Sequence, residues 1–236
     1  MKEHTVRVIE TVVRTPTATS VRMAKPEGFT FQPGQWASFT MKVEEGSQSK
    51  PLSFSSSPTE PFLEFTKRIT ESPFSTAISR LKPGDRITLK GPVGNLVYTG
   101  GRERVTFIAG GIGITPIRSI LKHALDEGVP GEKYFLYGNR NLEEIAFADE
   151  LRSWEGEDPD LKVFHVLLEP PEGWEGFTGF IKRDIIREAV PDLPGQTFFV
   201  SGPPPMVGSV MKCLDSLGID RSRVVKEELK GYEGMV

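Results

Sequence analysis

The sequence contains very little cysteine, since Cys213 is the one thiol in 236 residues. A single thiol excludes an intramolecular disulfide, and it cannot supply the four thiolate ligands of an iron–sulfur cluster. Cys213 lies within an amphipathic run, which favours a small residue at the boundary of a hydrophobic core over a nucleophile. We therefore expect no iron–sulfur cluster in this chain.

Histidine, net charge and long apolar segments are also scarce. His4, His123 and His165 are scattered without metal-ligand spacing, so we expect no metal site. A net charge of −3 provides no global basic field for nucleic acid or an anionic membrane. No apolar run is long enough for a membrane helix, and no signal-peptide pattern follows Met1. These absences predict a soluble, cytoplasmic protein.

Two different patterns divide the chain. Residues 1–98 contain five or six short strand-like runs punctuated by Gly and Pro, which predict a small antiparallel barrel. Within them, residues 44–49 are polar and predict a loop, and residues 74–80 predict a helix. Residues 99–104 have the composition of a linker, and from 105 to 236 strands alternate with helices. This alternation predicts a parallel sheet covered by helices on both faces. The expected strands are 105–109, 133–137, 162–168, 196–201 and 223–226, and the expected helices are 116–127, 146–153, 181–189 and 204–217.

A glycine-rich turn follows the first of these parallel strands. The apolar run 105–109 leads into Gly110-Gly111-Ile112-Gly113, and a periodic helix begins shortly afterwards. Thr115 suits the N-cap of that helix, and Pro116 suits its first position. A strand, a glycine turn and a helix N-terminus form a site for an anion such as a dinucleotide pyrophosphate. The spacing differs from the ordinary Rossmann fingerprint, and a tight turn without a ligand is the alternative.

Four short motifs resemble the ferredoxin–NADP reductase family, in that family's order. They lie at residues 50–56, 91–94, 110–116 and 201–206, and the resemblance covers nearly the whole chain. It implies an antiparallel β-barrel flavin domain at residues 1–98, followed by a Rossmann-like parallel α/β domain that binds NAD(P)H. The boundary would be the linker at 99–104.

The resemblance makes residues 50–53 the flavin motif, which is usually Arg-x-aromatic-Ser in the family. The basic residue would neutralise the flavin phosphate, and Ser53 would offer its hydroxyl near flavin N5. Lys50 replaces the arginine and supplies a point charge instead of a bidentate fork. Leu52, which follows Pro51, replaces the stacking aromatic residue. Both changes predict looser flavin binding.

A second flavin segment corresponds to the family's Gly-x-x-Ser/Thr helix start, where backbone N–H groups bind the pyrophosphate of FAD. Ser72 replaces the expected glycine, whereas Ser75 is retained. The preceding strand resembles the backbone that borders the isoalloxazine ring. The FAD-binding residues implied here are Thr66, Lys67, Arg68, Ser72, Phe74, Ser75 and Thr76.

The second half carries the residues implied to bind nicotinamide dinucleotide. Glu169 occupies the position where NADPH-preferring relatives carry a serine–arginine pair for the 2′-phosphate. Its carboxylate would repel that phosphate and accept a hydrogen bond from a ribose hydroxyl, whereas Arg140 favours NADPH. We expect NADH to be preferred, with an ordinary exposed carboxylate as the alternative for Glu169. The implied binding residues are Gly111, Gly113, Thr115, Pro116, Gly138, Asn139, Arg140 and Glu169.

The last motif resembles the family's Cys-Gly-Pro-Pro-x-Met loop beside the nicotinamide, here with Ser201, Gly202, Pro203 and Met206. Ser201 replaces the cysteine, which predicts slower catalysis because a hydroxyl lacks the polarisable sulfur. Near the C-terminus, Glu227 resembles a carboxylate close to the reacting atoms, and Tyr232 could cover the flavin. A last strand and a frayed tail are the alternative. The implied catalytic residues are Ser53, Ser201 and Glu227.

The resemblance implies an FAD-containing NAD(P)H oxidoreductase. Nicotinamide C4 would face flavin N5, and the electrons would pass on to a separate redox protein such as a ferredoxin or an oxygenase component. One alternative is an NAD(P)H:flavin reductase that uses free flavin as a substrate, and another is a flavin-bearing electron-transfer subunit of a larger complex. Six cations make the barrel half locally basic: Lys67, Arg68, Arg80, Lys82, Arg86 and Lys90. They favour an acidic protein partner, and an ordinary solvated surface is the alternative.

Overall fold

The computed structural model describes residues 2–101 and 104–229, and this part of the chain contains twelve strands and five α-helices. Tyr232 lies outside the described residues. The contacts divide the chain into two units. The first comprises the residues up to Thr99 together with Thr115–Glu127, and the second comprises Gly100–Ile114 and the residues from Gly128 onward. The segment Thr115–Glu127 thus packs with the N-terminal half, whereas the sequence pattern assigned everything from residue 105 to the second domain.

The first unit contains a six-stranded antiparallel sheet, as the sequence predicted. An isolated bridge between Phe54 and Phe65 brings the two ends of this sheet together into a barrel. The strands pair in the order β4-β3-β6-β1-β2-β5. Their bounds are β1 (Lys2–Thr15), β2 (Ala18–Ala24), β3 (Trp36–Val43), β4 (Gly46–Ser53), β5 (Phe62–Arg68) and β6 (Arg86–Val93), with one helix, α1 (Pro73–Ser79).

Alternating apolar residues form the core of the barrel. On β3, Ala37, Phe39 and Met41 are buried while the residues between them are more exposed, as the two-residue period of a strand requires. The Phe39 ring lies 5.8 Å from Phe54 and 4.7 Å from Phe65, between ring centroids. These aromatic contacts join strands from opposite ends of the sheet, which stabilises the closed arrangement.

The predicted loop at 44–49 is wrong, because β4 begins at Gly46. A two-residue turn at Glu44 and Glu45 joins β3 to β4, and Val43 pairs with Gly46. Gly46 has a φ of 93°, a conformation that favours glycine. The start of β4 is an exposed edge strand, so its polar residues face solvent and do not oppose strand formation.

Helix α2 (Ile114–Asp126) is attached to the barrel by buried polar contacts. The Arg118 side chain is 3% exposed and forms a two-pronged ion pair with the Glu60 carboxylate. It also donates to the Ser55 carbonyl at 2.9 Å, and Ser119 Oγ donates to the Ser56 carbonyl at 2.6 Å. These contacts explain why α2 packs with the N-terminal half.

A buried carboxylate organises the polar side of the barrel. Glu64 is fully buried and accepts hydrogen bonds from Arg14 and Arg22 at 2.8 Å each, and from Ser55 at 2.8 Å. Burial acts to raise the pKa of Glu64. The charges of Arg14 and Arg118 and the hydrogen bonds from Arg22 and Ser55 outweigh burial and hold that pKa below its usual value.

The second unit is a six-stranded parallel sheet with helices, as predicted. Its strand order is β10-β9-β8-β7-β11-β12, and every adjacent pair is parallel. The sequence pattern missed only the two-residue β10 among these strands, because so short a strand has no detectable period. The bounds are β7 (Arg104–Gly110), β8 (Glu132–Asn139), β9 (Leu161–Leu167), β10 (Phe177–Thr178), β11 (Thr197–Gly202) and β12 (Val224–Glu228), with α3 (Ala148–Glu157), α4 (Arg183–Ala189) and α5 (Pro204–Ser216).

The turn after β7 differs from its prediction in one respect. Gly111–Gly113 forms a short 3₁₀ turn that runs directly into α2, which begins at Ile114. Thr115 and Pro116 therefore lie buried inside the first helical turn, and the prediction of Thr115 as N-cap is wrong. No helix among the described residues is long and apolar enough to span a membrane.

Candidate functional site

The flavin motif forms the second half of β4. Lys50 and Pro51 are exposed, Leu52 is half-buried against the barrel core, and Ser53 is buried. Leu52 thus serves the core where the family has a stacking aromatic residue. The Lys50 side chain remains accessible to a ligand, and the Ser53 position lies one residue before the barrel-closing bridge at Phe54.

Beside this strand, an ammonium group and three hydroxyls gather at the start of α1. The Lys67 side chain is buried, and its Nζ donates to Ser75 Oγ at 3.2 Å and to the Arg68 carbonyl at 2.8 Å. Thr70 Oγ1 lies 3.1 Å from Ser75 Oγ and 3.0 Å from Ser72 Oγ. Ser72 is the N-cap of α1 and accepts from the Ser75 backbone N–H at 3.3 Å. The structure therefore brings together the predicted residues Lys67, Ser72 and Ser75.

The charges at this cluster fit an anionic ligand. Burial, together with the positive charge of Lys50, lowers the pKa of Lys67 to about 8. The positive charges of buried Lys67 and exposed Lys50 repel each other, and an anion that binds near both lysines stabilises them. A phosphate group of FAD has that charge, and the hydroxyls supply additional hydrogen bonds to it. The residues present therefore fit the phosphate portion of a flavin.

Most of the other predicted flavin residues make contacts within the barrel unit itself. Thr66 Oγ1 lies 2.6 Å from Ser20 Oγ and 2.8 Å from Ser55 Oγ, inside the network around Glu64. The Phe74 side chain is fully buried in the barrel core. Thr76 Oγ1 donates to the Ser72 carbonyl at 3.3 Å, and the Arg68 side chain is half-buried. The side chains of Thr66 and Phe74 are therefore engaged within the barrel, and a cofactor could contact these two residues through their backbone atoms.

In the second unit, the glycine turn packs tightly on β11. A methyl group added at Gly113 would lie 2.3 Å from the Ser201 carbonyl oxygen and 2.8 Å from Gly202 Cα, well inside van der Waals contact. Gly111 has a φ of 50°, in the left-handed region. Both glycines are therefore required by the turn itself, whether or not a dinucleotide is bound.

Two of the three implied catalytic residues lie side by side at the end of β11 and on β12. Ser201 is fully buried, and its Oγ has no hydrogen-bond partner among the described residues. Ser201 pairs in register with Glu227 on β12, so both side chains leave the sheet on the same face. A methyl group added at Gly202 would lie 2.8 Å from Met206 Sδ, so the thioether covers this glycine. Pro203 precedes the first turn of α5.

The adenosine-side residues lie at the carboxyl ends of β8 and β9. Arg140 Nε and Glu169 Oε1 are 3.0 Å apart, and both side chains are exposed. Asn139 is buried, and neither its side-chain Nδ2 nor its Oδ1 has a hydrogen-bond partner in the described part of the chain. Gly138, the residue before it, packs near Ile181. Because ligands bind parallel sheets at the carboxyl ends of the strands, these unsatisfied groups fit a polar ligand such as a nucleotide.

Two contributions were missed by sequence reasoning. Tyr137 donates its hydroxyl to the Gly111 carbonyl at 3.1 Å, and the Lys67 side chain turns inward to Ser75. A tyrosine at the end of a strand, just before Gly138, was the available signal for the first. No group of three or more His, Cys, Asp or Glu side chains that could hold a metal occurs among residues 2–101 and 104–229.

Comparison with known proteins supports the nucleotide-binding half. Residues 107–212 match the family model described as an oxidoreductase NAD-binding domain. NADH-cytochrome b5 reductase 1 of Ajellomyces capsulatus is 35% identical over 170 residues, which are 68% of this chain and 54% of that protein. The chain thus spans about half the length of this curated relative.

Solved structures match the whole chain. The cytochrome b5 reductase domain of Ulva prolifera nitrate reductase superposes with a TM-score of 0.85 at 23% identity, covering 96% of this chain and 97% of that one. A ferredoxin NADP⁺ reductase from Neisseria gonorrhoeae with bound FAD and NADP gives a TM-score of 0.83 at 19% identity, covering 97% and 99%. The barrel and the parallel sheet both agree with these matches. The chain belongs to the ferredoxin–NADP reductase family, with an oxidoreductase NAD-binding domain at residues 107–212.

Proposed function

We propose that this protein is an FAD-dependent NAD(P)H oxidoreductase that takes hydride from NADH and passes electrons to a separate redox protein. One observation carries the proposal. The stretch that matches an oxidoreductase NAD-binding domain, residues 107–212, also holds the glycine turn Gly111–Gly113 against Ser201 and Gly202 at the carboxyl ends of the strands. In a parallel sheet this is the place where a dinucleotide binds.

The chain supplies binding and orientation. Bound FAD would supply the ring that accepts hydride. Lys50, Lys67 and Ser75 would hold the flavin phosphates, and Ser53 would offer a hydroxyl to the ring. Ser201 and Glu227, adjacent in register, would present a hydroxyl and a carboxylate beside each other.

A preference for NADH over NADPH forms part of the proposal. The Arg140 guanidinium is already paired with Glu169 at 3.0 Å, so it is not freely available to a 2′-phosphate. The Glu169 carboxylate adds repulsion to that phosphate, whereas it can accept a hydrogen bond from a ribose hydroxyl. The relative from Ajellomyces capsulatus is itself named for NADH.

We propose an acidic electron acceptor, such as a ferredoxin-like protein or an oxygenase component. Of the six cations noted in the barrel half, Lys67 is turned inward and Arg80 pairs with Glu44 at 2.8 Å. Lys82, Arg86 and Lys90 are exposed, so they support attraction of an acidic surface.

The experiment is a cofactor and turnover assay on the purified protein. Heat-released flavin is identified by chromatography, and reduction of ferricyanide is followed with NADH and with NADPH. We expect FAD at close to one per chain and a higher kcat/KM with NADH. Absence of both flavin and nicotinamide-dependent turnover in a folded protein would contradict the proposal.

A second candidate is an NAD(P)H:flavin reductase that uses free flavin as a substrate. Leu52 favours it, because this side chain packs against the barrel core and offers no aromatic stacking surface. In that case the purified protein is colourless, and its NADH oxidation rate increases with added riboflavin until it saturates. A yellow protein whose turnover is indifferent to added riboflavin excludes this candidate.

A further inference from the structure

Tyr137 connects β8 to the glycine turn that follows β7. Its side chain is fully buried, and its hydroxyl donates to the Gly111 carbonyl oxygen at 3.1 Å. The two residues are 26 positions apart in sequence, so this contact depends on the pairing of the two strands. We infer that Tyr137 is a positioning residue that fixes the orientation of the Gly111 peptide group for dinucleotide binding. The inference rests on the proposed function.

Neighbouring rings hold the phenol in place. The Phe135 ring is stacked on Tyr137 with centroids 5.2 Å apart and planes at 14°, and the His165 ring lies 6.0 Å away. Tyr137 pairs in register with Ala109 on β7 and with His165 on β9. A buried tyrosine hydroxyl requires a hydrogen-bond partner, and here the partner is the carbonyl of the turn. The Tyr137 ring cannot leave this position without losing both the stacking on Phe135 and the hydrogen bond to Gly111.

Within the turn, the Gly111 carbonyl accepts one hydrogen bond, from the Ile114 backbone N–H. Gly111 has a φ of 50°, and glycine moves between left-handed and right-handed backbone regions at little energetic cost. A peptide group at such a residue can therefore rotate unless another group holds it. Gly113 is held by its close packing on the Ser201 carbonyl, but Gly111 is only half-buried. The Tyr137 hydroxyl therefore adds a second hydrogen bond to the Gly111 carbonyl, and this one comes from a neighbouring strand.

This restraint bears directly on anion binding. In a trans peptide, the carbonyl of one residue and the N–H of the next point in opposite directions. Holding the Gly111 carbonyl toward Tyr137 therefore directs the Ile112 N–H away from Tyr137. Backbone N–H groups in a fixed orientation are what a strand–turn–helix site offers to a pyrophosphate. Without the hydroxyl, part of the binding energy is spent on orienting this peptide.

The test compares Tyr137→Phe with Tyr134→Phe. Tyr134 lies on the same strand, is half-buried and packs on the other face of the sheet, against the apolar core that contains Leu136 and Ile186. Both variants therefore remove one phenolic hydroxyl from β8. The dissociation constant for NAD⁺ is measured by calorimetry, and kcat and KM for NADH are measured with ferricyanide. Circular dichroism and the flavin spectrum establish that each variant is folded.

We expect Tyr137→Phe to raise the NAD⁺ dissociation constant and the NADH KM about five- to tenfold, the range of one net hydrogen bond, with kcat changed less than twofold. Tyr134→Phe should leave all three within twofold of the wild type. Equal NAD⁺ affinity in both variants, or a loss in kcat with KM unchanged, would overturn the inference. A wild-type protein that binds no NAD⁺ would instead contradict the proposed function, so the two failures are distinguishable.

Discussion

The replacement Glu64→Gln tests the buried charge cluster around Glu64 in the barrel. Glu64 is fully buried and accepts from Arg14, Arg22 and Ser55, with each hydrogen bond at 2.8 Å. Glutamine keeps the shape but removes the negative charge. Arg14 and Arg22 then lose their shared counter-charge, while the Arg14 side chain remains 12% exposed. A largely buried cation without its counter-charge is strongly destabilising.

The expected cost follows from that burial. Removing one partner of a buried ion pair lowers the free energy of unfolding by about 3–5 kcal/mol. Glutamine still accepts one hydrogen bond through its amide oxygen, so we expect about 3 kcal/mol at pH 7. The pKa of Glu64 is lowered in the folded state despite the opposing effect of burial. The stabilisation is therefore present above the unfolded pKa of about 4.3 and is lost as pH falls through the lower, folded value.

Urea unfolding, followed by circular dichroism at pH 7, 5 and 4, measures the effect. The difference between wild type and Glu64→Gln should be the same at pH 7 and pH 5, both above the unfolded pKa, and it should begin to shrink at pH 4. Glu10→Gln is the matched control, because Glu10 is 48% exposed and pairs with Arg22 at the surface. It should cost less than about 1 kcal/mol. A loss below about 1 kcal/mol for Glu64→Gln at pH 7, or a difference that grows on acidification, would refute the reasoning.

Three further replacements test the candidate sites. Gly113→Val places a side chain where even a methyl group would lie 2.3 Å from the Ser201 carbonyl oxygen. Calorimetry should then show no NAD⁺ binding, while the flavin spectrum persists. Loss of flavin with intact NAD⁺ binding would contradict this prediction. FAD should bind the flavin-stripped protein more weakly as pH rises past about 8, because an anion favours the protonated form of Lys67, whose pKa is about 8. Lys67→Met should weaken FAD binding about tenfold at pH 7 and abolish this pH dependence in fluorescence titrations; retention of the wild-type pH profile would remove Lys67 from the site. Glu169→Gln releases Arg140 from its 3.0 Å ion pair and should raise the ratio of kcat/KM for NADPH over NADH about tenfold, whereas an unchanged ratio would exclude this pair from cofactor selection.

Periodicity made the architecture predictable, and long-range contacts limited the prediction. Alternation of apolar residues on strands such as β3 indicated a barrel, and alternation of strands with helices indicated the parallel sheet. The polar segment from Gly46 was mistaken for a loop because an edge strand needs no buried face. The attachment of α2 to the barrel depends on the Arg118–Glu60 ion pair across 58 positions, which no local pattern reports.

In the candidate sites too, local motifs could be recognised from the sequence, whereas long-range contacts could not. Gly113 was recognisable from its motif, although its close packing on Ser201 is a tertiary fact. The motif around Ser72 and Ser75 indicated a polar cluster at the start of α1 but did not reveal that the Lys67 side chain turns into it. The hydrogen bond from Tyr137 to Gly111 was not predicted, because Gly111 lies in the turn after a different strand. The roles assigned to the site residues, including the catalytic roles of Ser53, Ser201 and Glu227, stay predictions.

The central claim is that NADH reduces a flavin bound to this chain. Its most direct test is an anaerobic visible spectrum of the purified protein before and after NADH is added. We predict a yellow protein whose flavin absorbance near 450 nm bleaches within the mixing time and returns when an electron acceptor is added. A folded, yellow protein that neither NADH nor NADPH bleaches would contradict the account.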